Sequence, residues 1–170
     1  MKGRRSGGSC TLPKQMHKEA FRIKRSIHMD DTTLLEEFNR QSDHSLISAL
    51  GIRFTSLQPE RVEAVMPVDQ RTCQPFGILH GGASLALAET MAGAGSLLLL
   101  DTDEMAVGVE VTGNHVASVP LGNEVHAVAT LIHRGRSTHL WNVDIYRNDD
   151  QLAATVRVLN AIRTKKISSR

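Results

Sequence analysis

The segment His80–Leu100 is built from Ala, Leu, Gly and a few small polar residues, and apart from the His80 that opens it, its one ionisable side chain is Glu89. A helix over this segment is apolar nearly all the way round, so it must be covered on most sides. Leu85, Ala88, Ala92 and Ser96 give it a narrow stripe of small and medium side chains, and Leu97–Leu100 close it as an unbroken apolar run. A bilayer could supply the cover, since the length is near the lower limit for a span. Glu89, Thr90, the glycines and the lack of flanking Lys or Arg weigh against it. The pattern predicts a buried central helix and no membrane.

The rest of the chain offers strands to cover that helix. Met105–Ala117, Glu124–His133, Thr138–Tyr146 and Leu152–Arg163 are dense in Val, Ile and Thr, and turn-prone residues part them at 120–123, 135–137 and 148–150. These links are too short for crossover helices, so the strands are expected as antiparallel neighbours. Upstream, Gly51–Leu57 and Arg61–Pro67 alternate apolar and polar residues around Gln58-Pro59-Glu60, which reads as a hairpin. Before it, Thr32 or Thr33 can cap a short helix ending at Gln41, and Ser45–Leu50 forms a brief turn stopped by Gly51. Asp69–Gly77 reads as a loop. The expected class is α+β, with a strongly curved antiparallel sheet wrapped around one long helix.

One domain is the default for 170 residues, and 41% apolar with 22% charged residues suffices for a core. The net charge of +2 conceals an uneven split. Residues 1–28 hold eight Lys/Arg against the single acid Glu19, for +7, whereas residues 29–170 hold twelve basic and seventeen acidic residues, for −5. The acidic body and only six aromatic residues argue against nucleic acid as a ligand. Residues 1–28 read as a basic, disordered extension before a domain starting at Met29, or as an organelle-targeting leader; no apolar run suits a secretory signal. Cys10 and Cys73 form no paired framework, which suits a reducing compartment such as the cytoplasm.

Glu89 must be protonated, paired, or open onto a polar pocket, because an unpartnered buried carboxylate costs several kcal/mol. It is either a site residue or an acid at the helix rim. In Gln74-Pro-Phe-Gly-Ile-Leu-His80-Gly81-Gly82, Pro-Phe-Gly is a turn and His-Gly-Gly opens the helix, leaving the Gly81 and Gly82 N–H groups unpaired at its positive end. Donors with no Cβ beside them can approach a ligand oxygen closely, as an oxyanion hole requires. The glycines could equally serve packing, and His80 could be a simple cap. Eight residues separate Gly81 from Glu89, about 12 Å along one helix, so both cannot touch one carbonyl. Two such helices laid antiparallel across a two-fold axis would bring Glu89 of one copy beside Gly81 of the other.

Gln74–Glu89, preceded by Pro67-Val-Asp-Gln-Arg-Thr and followed by Gly108-Val-Glu-Val-Thr-Gly-Asn-His, resembles the hotdog-fold acyl-CoA thioesterases. It is most similar to the bacterial group acting on 1,4-dihydroxy-2-naphthoyl-CoA, aryl carrier proteins, phenylacetate-pathway thioesters and 4-hydroxybenzoyl-CoA. The likeness runs from about Leu46 to Ile162. It implies a hotdog fold and hydrolysis of an acyl-CoA, with an aromatic acyl group expected, to free acid and CoA. Glu89 would attack the thioester or activate water, Gln74 and the Gly81 N–H would polarise the carbonyl, and His80 would orient the site. Gly82 and Thr90 would adjoin the substrate, Asn114 and His115 would line the pantetheine entrance, and Gly135, Arg136 and Ser137 would meet the CoA phosphates. Many relatives carry Ser or Thr where this chain has Gly93. A homodimer completing the site, paired into a tetramer, is implied as well.

No metal, flavin or nucleotide cofactor is expected; coenzyme A enters as part of the substrate. A hotdog acyl-CoA dehydratase is the nearest rival, but the His-Phe-Pro approach segment of many such enzymes is missing. A non-catalytic acyl-CoA binding module is the rival from another class, and 28 basic residues are too few to add a DNA-reading domain.

Overall fold

The computed structural model describes residues 30–165, so the expected extension at 1–28 lies outside the described residues. Two short helices, α1 (Asp31–Gln41) and α2 (Leu46–Leu50), precede the hairpin β1 (Arg53–Gln58) and β2 (Arg61–Pro67). Two short strands, β3 (Cys73–Gln74) and β4 (Ile78–Leu79), lead into the long helix α3 (Gly81–Leu99). Then follow β5 (Glu104–His115), β6 (Glu124–Arg134), β7 (Thr138–Tyr146) and β8 (Leu152–Thr164).

The local punctuation acts largely as its chemistry dictates. Ser45 caps α2, and Gly51 ends it in the left-handed region at φ 71°. Helix α1 departs from expectation, because its cap is Asp30 rather than Thr32 or Thr33. The Asp30 carboxylate accepts both the Thr33 N–H (2.9 Å) and the Thr33 hydroxyl (3.0 Å), which holds its pKa below the usual carboxylate range. The expected loop at 69–77 also contains a short pairing, Cys73 with Leu79 and Gln74 with Ile78.

Six strands form one antiparallel sheet in the order β1-β2-β6-β7-β8-β5. Its inner face buries Phe54, Met66, Trp141, Val143, Ile145 and Val158 against Leu87, Ala88, Met91 and Ala92 of α3. Along β7 the burial alternates strictly, with His139, Trp141, Val143 and Ile145 inward, as a period of two requires. Helix α3 is apolar and long enough to cross a membrane, but here the sheet, with α2 beside it, buries half of it. Gly95 sits where a Cβ would stand 2.5 Å from Cη2 of Trp141, so the indole can lie against the helix backbone only at a glycine.

One expectation fails. Strands β5 and β6 run antiparallel but are not neighbours: β5 pairs with β8 from Glu104↔Thr164 to His115↔Ala154. The 116–123 link crosses the end of the sheet instead of turning tightly. Val116 N–H donates to Ala153 O (2.8 Å), and Val119 O accepts from Leu79 N–H (2.8 Å).

Four polar side chains meet inside the core. Trp141 Nε1–H and Asn160 Nδ2–H each donate to Ser96 Oγ at 2.9 Å, and Asn160 also donates to Ala92 O at 3.0 Å. With its oxygen so occupied, Ser96 has its own proton for His139 Nδ1, 3.2 Å away, which requires a neutral imidazole. Burial lowers the His139 pKa below its ordinary 6.5. Arg134 and His133 push the same way and Glu104 opposes them.

The two edges of the sheet differ. On β1, Asn39 of α1 takes both backbone groups of Phe54, donating to its O (3.0 Å) and accepting its N–H (2.9 Å), while Phe38 packs edge-on against the Phe54 ring. At the other edge, β5 has no strand beyond it among the described residues, and Met105, Val107 and Val109 are exposed. An open apolar edge strand is a ready template for another chain.

Candidate active site

At the start of α3 the backbone of His80 is still extended (φ −76°, ψ 131°), and its Nδ1 accepts the Gly82 N–H at 2.8 Å. Neutral His80 therefore carries its proton on Nε2. This corrects the expectation of two free glycine donors: Gly82 is capped, and only the Gly81 N–H lacks an acceptor among the described residues. His80 N–H donates to Thr72 O (2.8 Å), and the Thr72 hydroxyl donates to Pro67 O (2.7 Å), so the approach to the helix is braced. Asp69 and Arg71 form a bidentate pair in the same loop, and the guanidinium holds the Asp69 carboxyl below its usual range.

An open cavity of about 420 Å³ lies at this end of α3. Gln74 of β3, Gly81, Ser84, His115 and Ser118 supply its polar lining, and Ile78 and Leu79 of β4 are among its apolar walls. The His115 ring packs on Gly81, where a Cβ would stand 3.0 Å from Cε1. Only glycine brings the helix N-terminus and this imidazole together without displacement. The cavity thus has an unpaired backbone donor, a side-chain amide and an imidazole facing mainly apolar walls, as carbonyl recognition requires.

Glu89 lies two turns further along α3 and does not line the cavity. It is exposed, has no hydrogen bond or ion pair among the described residues, and extends beside β5, with Oε1 2.6 Å from where a Cβ on Gly108 would be. Thr90 beside it is half-buried, and a Cβ at Gly93 would meet open space. Within one protomer the carboxylate and the Gly81 donor are therefore apart, as the rise of the helix demands. Asn114 is exposed on β5 opposite Thr155. Gly135, Arg136 and Ser137 form the turn after β6 at the far end of α3, where Arg134 donates to Leu99 O (3.0 Å). One protomer does not bring this turn to the cavity. Among the described residues, no three His, Cys, Asp or Glu side chains are placed to hold a metal ion.

Residues 76–154 match the family model described as the thioesterase superfamily. Proofreading thioesterase EntH of Cronobacter turicensis is 40% identical over 75% of this chain and 93% of its own. The 1,4-dihydroxy-2-naphthoyl-CoA hydrolase of Escherichia coli is 37% identical over 75% and 93%. The crystal structure of thioesterase HI1161 from Haemophilus influenzae matches with a TM-score of 0.75 at 37% identity, over 80% of this chain and 94% of that one. The chain belongs to the thioesterase superfamily. Its fold is the hotdog expected from sequence, and thioester hydrolysis is the chemistry of the family.

The superfamily match spans His80, Gly81, Glu89, His115 and the 135–137 turn, while Gln74 lies just before it. Two features of this thioesterase escaped the sequence. Ser84 lines the cavity, but a serine one turn into an Ala-rich helix gives no local sign of which wall it faces. Gly108 adjoins Glu89 across the helix–strand contact, a pairing that depends on where β5 docks.

Proposed function

We propose that the protein hydrolyses an aryl-CoA thioester to the free acid and CoA at sites shared between two copies of the chain. The supporting observation is the separation itself: the open donor at Gly81 and the unpartnered carboxylate of Glu89 occupy different places on one helix. Antiparallel apposition of two α3 helices puts Glu89 of one copy beside Gly81 of the other. The uncovered β5 edge, with exposed Met105, Val107 and Val109, is the surface through which two sheets would join. Two such dimers pairing would give a tetramer.

In this arrangement the thioester carbonyl oxygen sits on the Gly81 N–H and the Gln74 amide, with His80 fixing the turn. Glu89 of the second copy either takes a proton from the water that adds to the carbonyl carbon, or adds itself to form a mixed anhydride that water then cleaves, releasing the acid and restoring the carboxylate. The charge that develops on the oxygen is held by the same donors. Collapse breaks the C–S bond, and the sulfur leaves as CoA thiolate, which then takes up a proton. Leu99 of the second copy, ten residues past its Glu89, falls about 15 Å beyond Gly81. That places its Gly135-Arg136-Ser137 turn at the reach of a pantetheine arm, where an Arg fork suits phosphate. Asn114, His115, Gly82 and Thr90 flank the path between. The working compartment proposed is the cytoplasm, with acyl-CoA and a second copy as partners and no nucleic acid, membrane or cofactor.

The test is CoA release from benzoyl-CoA and its hydroxylated relatives, followed with a thiol reagent. Glu89→Gln is expected to lower kcat/KM at least about 100-fold with the fold retained. Tight binding of the esters by the parent protein without release would favour a non-catalytic binding module.

A further inference from the structure

Two serines line the cavity at the start of α3 without a task in the reading above, the exposed Ser118 and the buried Ser84. Ser84 is 1% exposed, yet its hydroxyl has no hydrogen-bond partner among the described residues. A serine inside a helix ordinarily gives its proton to the carbonyl four residues back. Here that acceptor, His80 O, already takes the N–H groups of Ala83 (2.9 Å) and Ser84 (3.3 Å). No fully enclosed polar side-chain atom lacks a partner among the described residues, so what remains open of Ser84 faces the cavity it lines. No protein group bonds this hydroxyl, so a ligand that enters the cavity finds it available as donor and acceptor.

Its position relative to the carbonyl seat follows from helix geometry. Ser84 is three residues from Gly81, on the same face and about 4.5 Å along the axis, and helical side chains lean back toward the N-terminus. A carbonyl oxygen on the Gly81 N–H is thus within about one helical turn of Ser84 Oγ. The remaining deep walls, Val119, Ala153 and Ala154, are apolar and buried.

We infer that Ser84 is a specificity-determining residue: its hydroxyl hydrogen-bonds a polar substituent that the acyl group carries within one helical turn of the thioester carbonyl oxygen. A hydroxyl or keto oxygen on ring position 2 or 3, or on the second or third carbon of a chain, meets this condition. A ring hydroxyl at position 4 lies too far out, and an unsubstituted acyl group leaves Ser84 unpaired. The inference rests on Gly81 as the carbonyl seat.

The experiment compares the affinity of the full-length protein for two inert thioethers, phenacyl-CoA and 3-hydroxyphenacyl-CoA, by calorimetry, with Ser84→Ala beside it. The parent protein is expected to bind the hydroxylated thioether about tenfold more tightly, a preference worth one hydrogen bond. Ser84→Ala should reduce it below about twofold while melting at about the same temperature, since no protein group bonds the hydroxyl it removes. An equal preference in both proteins, or no binding of either thioether, overturns the inference. A lower Tm in Ser84→Ala with the preference intact also overturns it, by assigning Ser84 a structural role. Loss of the preference in Ser84→Ala, with no CoA released from 3-hydroxybenzoyl-CoA by the parent, would support the inference and refute hydrolysis. CoA release with equal preferences would do the reverse.

Discussion

A methyl group added at Gly108 has its three nearest neighbours all on Glu89, with Oε1 at 2.6 Å, Cδ at 3.5 Å and Cγ at 3.7 Å. Ordinary contact begins at about 3.4 Å, so in Gly108→Ala the carboxylate must retreat by about 0.8 Å, the difference between the two distances. The obstacle is the end of an exposed, flexible side chain, so the side chain yields rather than the strand. The backbone at Gly108 is not left-handed, and alanine there can add up to about 0.5–1 kcal/mol to strand stability. Misplacing an attacking group by about 1 Å costs on the order of 100-fold in rate, or about 2.7 kcal/mol at 1.36 kcal/mol per decade. Gly108→Ala is thus expected to lower kcat/KM for aryl-CoA release about 100-fold while its Tm stays level or rises. A control by sedimentation confirms that the oligomer is kept. Unchanged kcat/KM in the folded variant would refute the placement of the chemistry at Glu89.

Other substitutions test the scaffold. Gly95→Ala sets a Cβ 2.5 Å from the buried Trp141 ring, and a denaturant melt should show it about 1–3 kcal/mol less stable despite the better helix propensity of alanine. Asn39→Ala frees both backbone groups of Phe54; a loss of about 1–3 kcal/mol in urea is expected, with new self-association through β1 seen by light scattering. The depressed His139 pKa makes stability depend on pH. The unfolded chain binds a proton near pH 6.5 that the native core refuses, so this group's contribution is complete above that pH. It is lost as pH falls from there toward the native pKa, with a slope of at most about 1.4 kcal/mol per unit. Melts from pH 7.5 to 5 should show the decline, and His139→Gln should flatten it.

Much of the frame is legible because it is written locally. The ends of α3 follow from His80-Gly81-Gly82 and from the apolar run that closes it, and the β1–β2 hairpin turns at Pro59 and Glu60, the latter at φ 66°. The separation of Gly81 from Glu89 needs only the rise per residue. What was not legible depends on residues far apart in the chain. The pairing of β5 with β8 joins 104–115 to 152–164, and nothing in either strand's alternation names its partner. The Ser96–His139–Trp141–Asn160 cluster reaches across more than forty residues, and from sequence Ser96 read simply as one small residue of the stripe. Asp30 outcompetes Thr32 and Thr33 as a cap because its two oxygens take both donors of Thr33. At the site, the sequence leaves open both a capping His80 and a free Gly82 donor, and the extended backbone of His80, which brings its ring round to accept the Gly82 N–H, decides for the cap.

The most direct test of the shared site combines two inactive proteins, Gln74→Ala and Glu89→Gln, in equal amounts and lets their subunits exchange. A mixed dimer has one site with both lesions and one with neither. Random exchange should therefore restore about a quarter of the parent aryl-CoA hydrolysis. Activity that stays at the level of the separate variants after exchange would contradict a site built from Gln74 and Gly81 of one copy and Glu89 of the other.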